Sequence, residues 1–88
     1  MPASVRSEAP QVTIRLFAAA RDAARTTGGE VAAATVGDAL DEAVNRWGAE
    51  LAEILPICRI WVDGEPADAD TRLVTGAEVA VLPPVTGG

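Results

Sequence analysis

Thr75-Gly76-Ala77-Glu78-Val79-Ala80-Val81-Leu82 is the stretch whose reading decides the fold. Thr75-Gly76 is a turn signal. The residues after it are continuously apolar from Val79 to Leu82, as expected of a central strand buried on both faces. The run stops at Pro83-Pro84, because two residues without a backbone N–H cannot continue a ladder. The chain therefore places a strand in the middle of its sheet at the very end of its folded part.

Upstream, residues 57–62 form a second strongly apolar run, followed by Asp63-Gly64, a hairpin signal. Pro66 confines the returning strand to a sheet edge. Residues 67–71 read as a polar loop in which Asp68 and Asp70 face solvent rather than a cation. Before this hairpin lies the clearest helix. Thr35 with Asp38 resembles a capping box. Val36, Ala39, Leu40, Ala43, Val44 and Trp47 fall at i, i+3, i+4, i+7, i+8 and i+11, one apolar stripe. Gly48 sits where a C-terminal glycine belongs. On this pattern Leu40, Val44 and Trp47 pack the helix onto the sheet. Residues 51–55 add a short helical turn before Pro56.

At the start, residues 12–17 alternate, with Val12, Ile14 and Leu16 on one face and Thr13, Arg15 and Phe17 on the other. Residues 18–25 form a short alanine-rich helix, residues 26–29 break it, and residues 30–34 form a strand of weak composition. One helix on a mixed sheet is an α+β two-layer arrangement. If the last strand lies beside the first in the sheet centre, the topology is a β-grasp, or ubiquitin-like, fold. The expected organisation is a disordered lead-in over residues 1–11, a β-grasp domain over 12–82, and a flexible reactive tail over 83–88.

Eighty-eight residues suffice for one small domain, and the 49% apolar content is ordinary for one. With Phe17, Trp47 and Trp61 the only aromatics, the core rests on Val, Leu, Ile and Ala. A net charge of −6 argues against nucleic acid as a partner and favours partners with basic docking surfaces. No apolar run approaches the ~18 residues of a membrane span, and residues 1–11 lack a signal-peptide core, so a cytoplasmic protein is expected. There is no His, Tyr or Lys. Triads, Schiff bases and His-containing zinc sites are excluded, and no metal site is expected. Cys58 lacks a disulfide partner within the chain and reads as a small buried hydrophobe. Gly28-Gly29 lacks the further glycines and the lysine of a phosphate loop.

The remaining feature is the tail, Pro83-Pro84-Val85-Thr86-Gly87-Gly88. The prolines detach it from the sheet. Two terminal glycines let its carboxylate enter a site that any β-carbon would block. Six extended residues reach about 20 Å at 3.3–3.6 Å each. Such an arm suits a protein whose own C-terminus reacts.

Together with Leu16-Phe17-Ala18, Thr35-Val36 and Gly76-Ala77-Glu78-Val79, this tail resembles the MoaD/ThiS family of ubiquitin-like sulfur carriers. Within the family it is most similar to the molybdopterin branch, the small subunit of molybdopterin synthase. The resemblance spans residues 12–88, and its specific part is the Pro-Pro-Val-Thr-Gly-Gly ending. It implies that an E1-like enzyme adenylates the Gly88 carboxylate with ATP and that a sulfur donor converts it to a thiocarboxylate. It further implies that the tail, with Pro83, Pro84, Val85, Thr86 and Gly87, enters the large subunit of molybdopterin synthase in a heterotetramer and passes sulfur to cyclic pyranopterin monophosphate. No permanently bound cofactor is implied. Carriers for thiamine, cysteine or tRNA thiolation, a ubiquitin-like protein modifier and a plain binding module with a passive tail remain alternatives. Phe17, pointing away from the Val12-Ile14-Leu16 face, is the candidate docking anchor beside the tail.

Overall fold

In the computed structural model, which describes residues 9–84, alternation along the first strand governs everything built on it. β1 (Gln11–Leu16) turns Val12, Ile14 and Leu16 inward, each at most 2% exposed, and Thr13 and Arg15 outward. α1 (Ala18–Ala24) comes next, then β2 (Gly28–Ala32), α2 (Val36–Trp47), α3 (Ala49–Ile54) and a 3₁₀ turn at Leu55–Ile57. β3 (Arg59–Val62), β4 (Glu65–Ala67) and β5 (Glu78–Leu82) complete the order. The five strands lie in the order β2-β1-β5-β3-β4. β1 runs parallel to β5, with Ile14 opposite Val79, and every other pair is antiparallel. First and last strands side by side at the sheet centre define the β-grasp fold.

Local signals account for most of these elements. Thr35 caps α2, its Oγ1 accepting from the Asp38 N–H at 3.1 Å. Gly48 ends the helix at φ 108°, donating its N–H to the Val44 carbonyl. Asp63 and Gly64 both take positive φ, 49° and 87°, as a two-residue hairpin turn demands. The Asp63 carboxylate also accepts from the Glu78 N–H at 2.9 Å, tying the turn to β5. Pro66 sits on the edge strand β4, where its missing donor costs no ladder bond. α1 stops at Arg25, in the left-handed region at φ 63°. A glycine is better suited there, so Arg25→Gly is expected to raise stability by about 0.5–1 kcal/mol, read as a higher thermal midpoint.

The structure corrects four expectations. β5 is central but covered on one face only: Val79 and Val81 are fully buried, whereas Glu78, Ala80 and Leu82 are half-buried. All the helices among the described residues pack on one side of the sheet and leave the other open. The apex of α2 is Val36, Ala39 and Ala43, all fully buried, rather than Leu40, Val44 and Trp47. Two alanines bring the helix axis close to the sheet, which pushes the larger side chains to the flanks. Leu40 and Trp47 still pack against the core from there. The weak strand of residues 30–34 is displaced to Gly28–Ala32, so the two glycines read as a break belong to it. Lastly, residues 57 and 58 precede β3: Ile57 belongs to the 3₁₀ turn and is 62% exposed, and Cys58 is half-buried rather than buried. The Cys58 thiol donates to the Ile54 carbonyl at 3.2 Å, and desolvation raises its pKa.

Candidate functional site

β5 delivers the chain to its exit. Its last residue, Leu82, pairs with Arg59 of β3, while on the other side the Phe17 N–H reaches the Val81 carbonyl at 3.3 Å. Pro83 is half-buried and Pro84 exposed. The chain thus leaves the sheet between the end of β1 and the start of β3. Val85, Thr86, Gly87 and Gly88 lie outside the described residues.

The sheet face left uncovered by the helices surrounds this exit. Arg15 lies opposite Ala80, Ala80 opposite Trp61, and Trp61 opposite Pro66, so one row crosses four strands. Leu82 and Arg59 form the next row, towards the exit. Phe17, 37% exposed, stands at its end. The Arg15 guanidinium lies 5.6 Å from the Phe17 ring centroid and donates to Glu78 Oε2 at 2.9 Å. These contacts hold Arg15 over the ring. The ion pair is about half exposed on both sides, so it organises the face more than it stabilises the fold. Ala18, at φ 50°, turns the chain sharply after Phe17. The backbone then enters α1, whose Ala20 and Ala24 are buried in the core.

Phe17 and Pro83 are therefore brought together, with Pro84 next to them in the chain. Arg15, Arg59, Trp61 and Leu82 join them, although the sequence did not single them out as site residues. Arg15 carried a usable signal, since alternation puts it on the Phe17 face. Trp61 and Arg59 depend on the β3–β5 pairing and carried none. The patch is apolar and framed by two arginines on a chain of net charge −6. Its one carboxylate among the described residues, Glu78, is held in the ion pair with Arg15. Among the described residues no group of three or more His, Cys, Asp or Glu side chains is placed to hold a metal ion. The Asp68 carboxylate is instead engaged by the Asp70 N–H and the Thr71 hydroxyl, at 3.0 and 3.3 Å. No helix among the described residues is long and apolar enough to cross a membrane.

The sequence model of the ThiS family matches residues 14–88, and the chain belongs to this family of ubiquitin-like sulfur carriers. SAMP1 from Haloferax volcanii is 30% identical with a TM-score of 0.80, over 89% of this chain and 99% of that one. A putative molybdopterin converting factor subunit 1 from Pyrococcus furiosus is 26% identical with a TM-score of 0.76, over 86% and 99%. A complex of subunits 1 and 2 of the molybdopterin-converting factor from Helicobacter pylori contains a chain 25% identical, with a TM-score of 0.67, over 89% and 99%. No curated protein sequence matches the chain.

Proposed function

We propose that this carrier is the sulfur-donating small subunit of a molybdopterin synthase, acting through Gly88. The observation that supports this reading best is the tail itself: the sequence Pro83-Pro84-Val85-Thr86-Gly87-Gly88 begins at the end of β5, beside the exposed Phe17 face. The likeness to molybdopterin converting factor subunits adds to it.

The chemistry derives from the state of a terminal carboxyl. With a pKa of about 3.3–3.7 it is an anion at neutral pH and a poor electrophile. An E1-like enzyme lets the Gly88 carboxylate attack the α-phosphate of ATP. Pyrophosphate leaves, and the acyl-adenylate now carries AMP as a good leaving group. The terminal sulfur of a donor persulfide displaces AMP to give an acyl disulfide. A second thiol of the enzymes cleaves its S–S bond, forming a disulfide with the donor sulfur and releasing the thiocarboxylate. Its sulfur is a soft nucleophile and is passed to cyclic pyranopterin monophosphate in the large subunit. Gly87 and Gly88 fit the narrow approach, and Val85 and Thr86 pair with the groove in extended form. The catalytic acids and bases belong to the partners. Intact mass of the protein from cells that make molybdopterin tests this reading: one terminal oxygen replaced by sulfur is expected. An unmodified terminus in all of the protein would overturn it.

A protein modifier is the second reading, favoured by the match to SAMP1, a small archaeal modifier protein. It requires isopeptide bonds from Gly88 to lysines of other proteins, seen as covalent ladders on blots of tagged protein.

The docking role of Phe17 separates from stability. Phe17→Ala is expected to lower stability by less than about 2 kcal/mol, below the roughly 3–5 typical of a buried phenylalanine. Affinity for the large subunit should fall more than about tenfold, or about 1.4 kcal/mol. Calorimetry on the free protein and titration against the large subunit give the two numbers. Undiminished binding by a folded variant would remove Phe17 from the interface.

A further inference from the structure

The helix layer carries a second recognition feature, on the other side of the sheet from Phe17. A trough of about 720 Å³ runs between α2 and the α3–3₁₀ segment. Leu40 and Val44 form one wall, Ala52, Leu55 and Pro56 the other, and Ala69 closes one end. Its existence derives from the packing of α2: the helix seats itself on Ala39 and Ala43, so Leu40 and Val44 are left at the flank, half-buried. One carboxylate belongs to its lining, and three exposed ones are sequence neighbours of the lining residues Gly37 and Ala69. Asp41 is on its rim, Asp38 lies one turn earlier on α2, and Asp68 and Asp70 bracket Ala69. Among the described residues no cationic side chain lines it.

We propose that this trough is a docking site for an amphipathic helix of a protein partner, one with an apolar stripe and cationic residues at its flanks. An apolar floor between two helical walls accepts side chains at i, i+3, i+4 and i+7. The acidic surround selects basic flanks and disfavours a second copy of this chain, whose charge is also −6. The trough is open to solvent, and Asp41 and Asn45 are the polar side chains of its lining among the described residues, so it is poorly suited to enclosing a small molecule. The trough lies in the helix layer and shares no lining residue with the Arg15-Ala80-Trp61 row on the open sheet face, so its occupant does not compete with a partner seated on that face. The carrier then has a surface for being held that is distinct from the one used for reaction.

The test uses the full chain, ¹⁵N-labelled, titrated with a synthetic helical peptide bearing leucines at i, i+3, i+4 and i+7 and arginines at both ends. Saturable shifts at Leu40, Val44, Ala52 and Leu55 are expected, weakening as salt is raised. Asp41→Arg and Ala52→Glu, both at exposed or half-exposed positions, should each weaken binding at least about tenfold with the thermal midpoint retained. Deleting Gly88 should leave the affinity unchanged, which separates this site from the tail chemistry. The proposal is overturned by shifts confined to Arg15, Ala80 and Leu82 or by their absence at saturating peptide. Equal affinity for a peptide with glutamates in place of the arginines, or self-association of the carrier through the trough, overturns it too.

Discussion

Removal of Gly88 is expected to abolish adenylation and sulfur transfer while the thermal unfolding midpoint stays where it is. On the proposed reading the reacting group is the terminal carboxylate, and shortening the arm by one residue withdraws it by about 3.3–3.6 Å from the site it must reach. Near-attack geometry tolerates about 1 Å of displacement before rates fall by orders of magnitude. Stability is unaffected for a separate reason. The buried core runs from Val12 to Val81, and Pro83-Pro84 end the ladder before Gly88 is reached. Two measurements on the same sample decide it: ATP–pyrophosphate exchange with the activating enzyme, and calorimetry. A truncated protein that still supports molybdopterin synthesis would sink the carrier reading. A truncated protein that fails to fold would mean that the tail is part of the domain.

Gly28→Ala should be the most damaging single-methyl substitution in the domain, costing on the order of 3–5 kcal/mol. Gly28 takes φ +132°, and a β-carbon there would stand 1.9 Å from the Ile14 carbonyl oxygen. The atom it meets is backbone, and Arg15 is ladder-paired with Gly28, so β1 and β2 would have to separate. A small domain has about 4–13 kcal/mol in total to lose. Gly76→Ala is the control: its φ is +88°, but no atom of the described residues lies within 4 Å of the added carbon. That variant should lose only the backbone preference, about 1–2 kcal/mol. Chemical denaturation of both proteins makes the comparison, and equal losses would show that positive φ, rather than the clash with β1, sets the cost.

Gly28 also shows why part of this fold could not be read ahead. Alternation along β1, the Thr35 cap and the Asp63-Gly64 turn depend on neighbours within a few residues, and all were legible. A glycine pair reads locally as a chain break. Here it is the only residue type that fits beside the Ile14 carbonyl at Gly28, and at Gly29 an added β-carbon would stand 3.1 Å from the Trp47 ring, which would have to shift by a few tenths of an ångström. Those demands come from residues far along the chain. The same holds for α2. Its stripe was visible, but which members face the sheet depends on how close the helix approaches, and that is set by Ala39 and Ala43 meeting the strands.

The candidate site divides along the same line. The sequence by itself determined the terminal Gly-Gly, the two prolines that end the ladder and a last strand running straight into those prolines, because these are properties of a contiguous segment. It also placed Phe17 and Arg15 on one face, since alternation is local. Only the tertiary structure decided that this face is left open, because covering it depends on which side the helices choose. Only the parallel pairing of β1 with β5, and the antiparallel pairing of β5 with β3, sets Phe17, Leu82, Arg59 and Trp61 around one exit. These residues are up to 65 positions apart, from Phe17 to Leu82, and no periodicity within a segment carries a register between segments.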